Sequence, residues 1–485
     1  MSNQRLNREH RMIVERIIIK GILILDTPTC LGNGEADGPT DLMLLRDSIT
    51  SKALLTGASL AGALRNYLHE YQFGYSQDEK IDSLSTSLFG AMKKDDDGEQ
   101  SPLIIHDSIS SNIPTVELRD GVKIDIKTGT AEKSAKYDLE LLAAGTEFPL
   151  TFELLIEEKQ DKNKLLEGLK IILKGLENSE INLGIKKSRG FGRCHVNKWQ
   201  VWQFNLKDSQ QRLAWLAFDR DDWQNNYHRD DILTEGKIGD IFPNIHTKDN
   251  RQFLHIKATF KLISSLLIRS GKFSTDTSPD VVHLSNSKNE SVLPGTSFTG
   301  VLRHRAEKIV NTVGIPKSFV DDIFGMVEEN KSDATKSSRF SVRETVIEKS
   351  KPFVQNRIAI DRFTGGTLHG ALFDEQPIYG GDETVVTLDL VLRQVNDANQ
   401  NNAEIGLLLL LIKDLWTSDL AIGGESSIGR GRLQGIKAEI TRFTPEKGNE
   451  YWEIIQEQEQ LQISEPNVLE NFVSEFNKLF NGVLV

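Results

Sequence analysis

Cysteine is almost missing from this sequence, which holds only Cys30 and Cys194. Two thiols exclude a framework of several disulfides and a four-thiolate zinc site. The histidines are scattered without the short spacings of zinc-binding motifs. No apolar run approaches the roughly eighteen residues of a membrane span, and the opening residues (MSNQRLNREHRMIVER) are too polar for a signal peptide. We therefore expect a cytoplasmic protein that has no membrane partner.

A surplus of basic residues is also lacking, because the formal net charge is −12. Such a charge argues against a nucleic-acid partner if it is spread evenly. It is not spread evenly, since the segment from Pro445 to Val485 holds eight glutamates and two lysines. A basic groove elsewhere in the chain therefore remains compatible with the composition.

One short motif occurs twice. Residues 56–68 are TGASLAGALRNYL, and residues 294–306 are PGTSFTGVLRHRA. Both are typical of a glycine turn that opens an amphipathic helix. Matching residues lie 238 positions apart: Gly57 and Gly295, Ser59 and Ser297, Arg65 and Arg303.

Three further blocks recur in the same order at nearly the same distance. They are Asp41 and Asp280 (239 apart), the loops containing Asp125, Thr128 and Gly129 or Asp361, Thr364 and Gly365 (236 apart), and SRGFGR from Ser188 or SIGRGR from Ser427 (239 apart). Ordered recurrence of this kind indicates an internal duplication with two copies of one domain.

Each copy has apolar segments in the order β-α-β-β-α-β, which is the order of the ferredoxin-like unit. We therefore predict an α+β fold with two tandem RRM-like domains that carry long inserted loops. The first domain is placed at residues 1–204, a linker at 205–251 and the second domain at 252–442. Residues 443–485 are predicted to form an acidic helical extension, which could either dock a partner or be solvated.

Glycine and arginine in the repeated blocks suggest contact with a phosphate backbone. The helix starts offer backbone N–H groups and the hydroxyls of Ser59 and Ser297, although a capped helix explains the same pattern. Glycine lets a polynucleotide backbone approach closely, and cations neutralise it. The alternative interpretation is a glycine-rich hairpin with solvated arginines. Arginine is present in the loops of both copies, which favours contact with RNA or DNA. The cations of these loops are Lys186, Lys187, Arg189 and Arg193 in the first copy and Arg430 and Arg432 in the second.

Asp41 and Asp280 are the candidate catalytic residues. Each ends a polar, glycine-rich loop, 16 or 15 residues before the turn glycine. A carboxylate beside a polyanion groove repels phosphate unless it binds a divalent cation or positions a ribose hydroxyl. A turn-forming aspartate is the commoner role of such residues. Asp37 and Asp276 could share the metal or be solvated.

The ordered set of motifs resembles the RAMP superfamily, and specifically the backbone subunits of type III CRISPR interference complexes. The resemblance covers residues 12–200 and 252–440. It implies RRM-like domains that bind crRNA, inserted excursions with Thr128 and Thr364 that act as thumbs, and further RNA contacts from the helix starts, including Arg65 and Arg303. It further implies cleavage of complementary target RNA by Asp41 and Asp280 with a divalent metal, Mg²⁺ or Mn²⁺, leaving a cyclic phosphate and a 5′-hydroxyl.

Two other functions remain open at this point. The chain could be a scaffold that binds crRNA together with other subunits of the complex and has structural aspartates. It could instead process precursor crRNA, as some RAMP proteins do, commonly with metal-independent histidine chemistry. The absence of a histidine repeated in both copies argues against the last alternative.

Overall fold

A computed structural model of the chain describes residues 12–34, 42–91, 99–125, 128–218, 232–245, 247–270, 279–326, 335–458 and 460–481. Asp37, Asp41 and Asp276 lie outside these ranges. Among the described residues, no helix is both long enough and apolar enough to cross a membrane.

The first half of the chain forms one α+β domain. Its strands are β1 (Ile13–Leu25), β2 (Leu54–Leu55), β3 (Leu103–Ile105), β4 (Ser108–Ile109), β5 (Val116–Ile124), β6 (Ala131–Leu142), β7 (Glu147–Glu157), β8 (Cys194–Asn205) and β9 (Leu233–Gly236). Its helices are α1 (Gly57–Phe73), α2 (Leu84–Phe89), α3 (Lys162–Glu177), α4 (Ser209–Leu216) and α5 (Ile238–Ile241).

The second half repeats the architecture and adds elements at its C-terminal end. Its strands are β10 (Phe253–Leu262), β11 (Val281–Val282), β12 (Val292–Leu293), β13 (Phe340–Val342), β14 (Thr345–Glu348), β15 (Lys351–Pro352), β16 (Gln355–Ile360), β17 (Thr367–Gln376), β18 (Ile378–Tyr379), β19 (Val385–Arg393), β20 (Leu433–Thr444), β21 (Gly448–Glu457) and β22 (Gln460–Ile463). Its helices are α6 (Gly295–Val313), α7 (Ser318–Phe324), α8 (Ala398–Trp416) and α9 (Pro466–Asn481).

The two main sheets have matching strand orders. The first is β3-β7-β1-β8-β9, and the path through the second includes β19-β10-β20-β21-β22, with β13 on the other side of β19. The pairings along both orders are antiparallel. The predicted duplication therefore extends from sequence motifs to the topology of the sheets.

The repeated helix α1 packs against the sheet as its apolar period predicts. The Thr56 hydroxyl caps the helix by accepting the Ser59 N–H, and Gly74 ends it with a φ of 84°. Leu60, Leu64 and Leu68 are buried in the same cluster as residues of β1, β7 and α3. Burying each leucine contributes on the order of 2 kcal/mol, so packing rather than helix propensity fixes α1 on the sheet.

The predicted linker is partly integrated into the first domain. Strand β9 extends the first sheet beside β8, and Ile238 and Phe242 belong to the first core. The Arg251 guanidinium lies over the rings of Tyr67 and Tyr71, 4.9 and 5.0 Å from their centroids. Within the predicted linker of 205–251, which was expected to have some structure of its own, these residues are bound to the first domain by apolar and aromatic contacts.

The prediction of a wholly helical extension is wrong for its first half. Residues 448–457 and 460–463 form β21 and β22, which continue the second sheet from β20. Among the described residues of the extension, only those of α9 are helical, and Leu469, Phe472 and Phe476 are buried in the second core. The edge of β20 that is not paired with β10 and the alternation around Trp452 favour strands over a helix here. The extension is therefore packed on its own domain rather than solvated.

A buried ion network joins the two domains. The Arg119 side chain, 5% exposed, extends from β5 and donates to Glu117 at 2.7 Å and to both carboxylate oxygens of Glu344 at 3.1 Å. Glu117 also accepts the N–H of Ser287 at 2.8 Å. Burial raises the pKa of Glu344, and Arg119 opposes that rise. The first domain thus contacts the second through paired charges rather than a flexible tether.

Backbone contacts reinforce this junction. A Cβ placed on Gly190 would lie 2.5 Å from the Glu344 nitrogen, and one on Gly295 would lie 2.3 Å from the Arg189 carbonyl oxygen. The first glycine-rich loop therefore sits directly against the start of α6 and the end of β13. Side chains larger than hydrogen at either glycine would separate the domains.

Candidate nucleic-acid interface and active site

Asp280 lies at the base of a projecting hairpin. We call the hairpin of β16 and β17 the second thumb, and the hairpin of β5 and β6 the first thumb. Asp280 is exposed and directly precedes β11, whose Val281 pairs in parallel with Glu375 of the second thumb. One oxygen of the Asp280 carboxylate, Oδ2, accepts the Asp374 N–H at 3.1 Å. The aspartate is thereby fixed where the thumb leaves the domain.

The first domain repeats this strand pairing beside Asp41. The following residue, Leu42, pairs in parallel with Leu139 of the first thumb. Leu42 and Leu139 are the sequence equivalents of Val281 and Glu375. In addition, the Leu44 N–H donates to the Glu140 carboxylate at 3.3 Å. Both thumbs therefore have the same attachment to the strand residue that follows a repeated aspartate.

A divalent cation at Asp280 would need ligands from outside the described protein residues. Among those residues, no group of three or more His, Cys, Asp or Glu side chains is arranged to hold a metal. Mg²⁺ commonly binds through one or two carboxylates and completes its shell with water and substrate phosphates. The exposed Asp280 carboxylate fits that mode of binding but not an all-protein cage.

The histidine nearest to Asp280 in the sequence is His283. His283 is buried, accepts the Ile268 N–H and lies 3.2 Å from the Val292 carbonyl oxygen. Burial lowers its pKa to about 4, so the ring is neutral near pH 7. Its two ring nitrogens are occupied by backbone groups, which gives this histidine a structural role.

The thumb tips share one turn. The Asp361 carboxylate accepts the Thr364 N–H at 3.2 Å, and the Asp125 carboxylate accepts the Thr128 N–H at 2.8 Å. The following glycines have φ values of 69° and 68°, which favour glycine. The repeated aspartate, threonine and glycine thus build the turn and leave both threonines exposed.

The helix starts have packing roles in both copies. The Gly57 N–H donates to the Asp107 carboxylate at 2.7 Å, and a Cβ on Gly57 would lie 2.3 Å from the Ile105 carbonyl oxygen. A Cβ on Gly295 would likewise lie too close to the carbonyl oxygens of Val342 and Arg189. Ser59 is exposed and Ser297 is half-buried. Phosphate binding at these serines stays a prediction, while the glycines are explained by close packing.

Arg65 and Arg303 form ion pairs inside their own domains. Arg65 Nε donates to Glu79 at 3.0 Å, and Arg303 contacts Glu307 at 3.0 Å and Asp321 at 2.5 Å. Each arginine also donates to a backbone carbonyl beyond the following short helix, that of Ala91 or Gly325. The repeated arginine therefore ties each domain's first helix to the segment after it.

Cations of the first glycine-rich loop gather at the domain junction. Lys186, Lys187 and Arg189 form no ion pair within the part of the chain that the structure describes. The Lys186 ammonium lies 3.4 Å from the centre of the Tyr137 ring at the base of the first thumb. Burial and, to a smaller extent, the nearby Arg189 lower the Lys186 pKa to about 8. A polyanion would relieve this concentration of positive charge.

The second glycine-rich loop differs, because its arginines are engaged internally. Arg430 is 3% exposed and contacts Glu425 at 2.7 Å and Glu375 at 3.1 Å. Arg432 donates to the Ser418 carbonyl at 2.6 Å. Arg193, the counterpart of Arg432, lies 3.9 Å from Asp26. The structure thus gives Arg430 a structural role at the second thumb and does not present its guanidinium to solvent.

Sequence motifs missed the residues that build the junction. Glu117, Arg119 and Glu344 are not repeated, since their equivalents are Phe353, Gln355 and Asp107. A search for repeated residues therefore passes over them. A comparison of the two copies could have found them by the reverse criterion, as charged side chains that are present in one copy and missing from the other.

Fold and site together define a class of protein. It is a tandem duplicate of one α+β domain in which each copy has a projecting β-hairpin, with Asp280 at the base of the second. A model of the RAMP superfamily matches residues 23–195 and 259–434, one region in each half. The chain belongs to the RAMP superfamily.

A curated relative has the length of one copy. The chain is similar to the CRISPR system Cms endoribonuclease Csm3 of Streptococcus thermophilus, with 26% identity over 201 residues. The match covers 90% of that protein but 39% of this chain. These shares agree with a chain that contains two copies of such a domain.

Proposed function

We propose that this chain is a backbone subunit of a type III CRISPR interference complex, which binds crRNA and cleaves complementary target RNA at two positions. Each half is an RRM-like RAMP domain, as the antiparallel order β3-β7-β1-β8 and its repeat support. The observation that carries the proposal is the pairing of Val281 and Leu42 with equivalent residues of the two thumbs. That pairing ties Asp280, and the residue that follows Asp41 in the sequence, to a hairpin suited to separate adjacent nucleotides.

The proposed RNA groove runs past the domain junction. Lys186, Lys187 and Arg189 supply positive charge there, next to the base of the first thumb. Because sequence recognition comes from pairing with crRNA, the protein needs to contact mainly backbone and ribose groups. The net charge of −12 is compatible with this groove, since eight glutamates lie in the C-terminal extension, which packs on the second domain through Leu469, Phe472 and Phe476.

The chemistry that suits a single carboxylate is transesterification within the target strand. The ribose 2′-hydroxyl gives its proton to a base, its oxygen bonds to the adjacent phosphorus, and the bond from phosphorus to the 5′-oxygen breaks as that oxygen takes up a proton. The products carry a cyclic phosphate and a 5′-hydroxyl. Asp280 orients the 2′-hydroxyl, and its Asp374 contact holds one carboxylate oxygen in place. A bound Mg²⁺ or Mn²⁺ would neutralise charge that develops on the phosphate oxygens.

Replacement of the two aspartates tests this function. We expect Asp280→Asn and Asp41→Asn, made in the assembled complex with crRNA, each to abolish cleavage at one of two positions. The double variant should cut at neither position while it still binds target RNA. Asp382→Asn is the matched control, because Asp382 is exposed in the turn before β19. Products are read at nucleotide resolution and their ends are analysed.

The same assay separates the alternative functions. If the double variant still cut at both positions, the aspartates would not be catalytic, and the result would favour the alternative function of a crRNA-binding scaffold. Cutting that persists in EDTA would point to metal-independent processing chemistry. Loss of crRNA binding in Lys187→Glu and Arg189→Glu, with a weaker salt dependence, is expected for a groove at the junction.

A further inference from the structure

A second aspartate is repeated beside the candidate catalytic residues. Asp138 and Asp374 lie 236 positions apart, the same distance that separates the repeated residues of the two thumb tips. No other charged residue on the thumb strands β5, β6, β16 and β17 has an identical residue at the equivalent position of the other copy. The strand registers agree with this match, because Asp138 lies opposite Asp120 and Asp374 lies opposite Asn356, which are themselves 236 positions apart.

Neither backbone contacts nor ion pairing explains an aspartate at this position. The contact with Asp280 uses the Asp374 backbone N–H, which every residue except proline provides. Lys136 lies 3.8 Å from Asp138 in the first thumb, but the equivalent residue of the second thumb is Leu372. Within the part of the chain that the structure describes, the Asp374 side chain forms no hydrogen bond or ion pair. Aspartate is also unfavourable in strands, so its presence in both copies indicates a role outside the fold.

Asp374 lies within reach of a hydroxyl that Asp280 orients. Its N–H donates to Oδ2 of the Asp280 carboxylate at 3.1 Å. The carboxyl carbon of an aspartate is at most about 4 Å from its own backbone nitrogen, so the Asp374 carboxyl carbon lies within about 7 Å of that oxygen. A hydroxyl that contacts one oxygen of each carboxylate at about 3 Å needs those two oxygens no more than about 6 Å apart. The arrangement therefore allows one ribose 2′-hydroxyl to contact both carboxylates.

We infer that the Asp374 side chain is the base that takes the 2′-hydroxyl proton at the position cut by the second domain, and that Asp138 is its counterpart in the first domain. The inference rests on the proposed cleavage of target RNA. The proton passes to the Asp374 carboxylate while the 2′-oxygen bonds to phosphorus, and the 5′-oxygen leaves with a proton from water. The protonated carboxyl then returns its proton to solvent. Asp280 orients the hydroxyl and Asp374 deprotonates it, so the two carboxylates have separate functions.

Asparagine variants in the assembled complex with crRNA test the inference, because asparagine keeps the shape of the side chain but is a very poor proton acceptor. We expect Asp374→Asn to slow single-turnover cleavage by the second domain at least about 100-fold, as for loss of a general base. Cleavage by the first domain and binding of target RNA should stay unchanged. Asp138→Asn should have the reverse effect on the two positions.

Two controls separate a proton acceptor from other roles. Asp120→Asn places opposite Asp138 the residue that the second thumb already has opposite Asp374, and it should leave cleavage at both positions unchanged. The second control is a target RNA with sulfur in place of the 5′-oxygen at the bond cut by the second domain, since a thiolate leaves without first being protonated. The Asp374→Asn defect should persist with this RNA, because the 2′-hydroxyl must still lose its proton. Cutting of the sulfur RNA at the natural rate would mean that Asp374 donates to the leaving group, and would overturn the inference.

The inference and the proposed function can fail separately. If Asp280→Asn abolishes cleavage by the second domain and Asp374→Asn does not slow it, the proposed function stands and the inference is wrong. The inference is also wrong if Asp374→Asn weakens binding of target RNA but leaves the cleavage rate of bound RNA unchanged. If Asp280→Asn leaves cleavage at that position unchanged, the proposed function fails, and the inference fails with it.

Discussion

One buried pair of residues at the base of each thumb shows how the copies diverged. In the first domain Leu139 and Phe191 belong to one buried apolar cluster with Cys30 and Leu141. The equivalent residues of the second domain are Glu375 and Arg430, which form a buried ion pair. The same position between thumb and glycine-rich loop thus accepts either an apolar contact or a charge pair.

This exchange predicts that the second domain loses much of its stability when one partner of the buried ion pair is removed and the other remains. Arg430→Ala should lower the free energy of unfolding by about 3–5 kcal/mol, because Glu375 and Glu425 lose a cation in a buried site. The double variant Glu375→Leu, Arg430→Phe recreates the pair of the first domain and should be close to the natural protein. Arg357 keeps Glu425 as its partner in that variant. The free energy of unfolding in urea is measured for the natural protein, for Arg430→Ala and for the double variant.

The converse change provides the control for this prediction. Phe191→Arg alone in the first domain places a cation among apolar residues and should destabilise it by several kcal/mol. If the double variant of the second domain were as unstable as Arg430→Ala, the exchange would not be equivalent at the two sites.

At the scale of elements, α9 completes the second core. Its Phe472 carbonyl oxygen approaches α8 so closely that a Cβ on Gly406 would lie 2.2 Å away. Phe476 is fully buried and contacts the ring of Phe319. In the described part of the first domain, the short helix α5 lies against α3 instead, and Lys170 of α3 donates to the carbonyls of Phe242 and Ile245.

Truncation of one α9 side chain should therefore destabilise the second domain. Phe476→Ala removes a large buried ring, and we expect a loss of about 3–5 kcal/mol. Leu479→Ala on the exposed side of the same helix should cost far less. Thermal unfolding followed by circular dichroism distinguishes them. Equal effects of the two changes would mean that α9 does not pack on α8 in solution.

Sequence patterns predicted repeated elements well and unrepeated ones poorly. The buried face of α1, the apolar face of α3 and the starting strand β1 all follow from local periodicity. The segment around Trp452 was predicted as helix and is strand β21, because pairing with β20 outweighs local preference. Arg430 matched a repeated glycine-arginine motif, yet its neighbours Glu375 and Glu425 come from distant segments that local pattern does not join.

At the scale of the whole molecule, the spacing of the two candidate sites depends on the domain junction. Arg119 pairs with a glutamate from each domain, and Arg393 of the second domain pairs with Glu70 of the first at 2.8 Å. These partners lie far apart in the sequence, and motif comparison does not predict them. The junction should hold the domains in one arrangement before RNA binds.

Removal of Arg119 should uncouple the domains. In Arg119→Ala, Glu117 and Glu344 face each other without a cation, and we expect about 3–5 kcal/mol less stability at the junction. Calorimetry of the natural chain should give one transition, and the variant two. Burial already raises the pKa of Glu344, and without Arg119 nothing opposes that rise, so protonation of Glu344 relieves the repulsion and the loss should be smaller at pH 5 than at pH 8.

A neutral network separates lost charge from lost packing at this junction. Arg119→Met combined with Glu117→Gln and Glu344→Gln keeps the volume and removes every charge, so most of the coupling should return, with little dependence on pH. If this triple variant melted in two steps like Arg119→Ala, paired charges would be required for the junction. If Arg119→Ala itself melted in one unshifted step, the contacts at Gly190 and Gly295 would be sufficient to hold the two domains together.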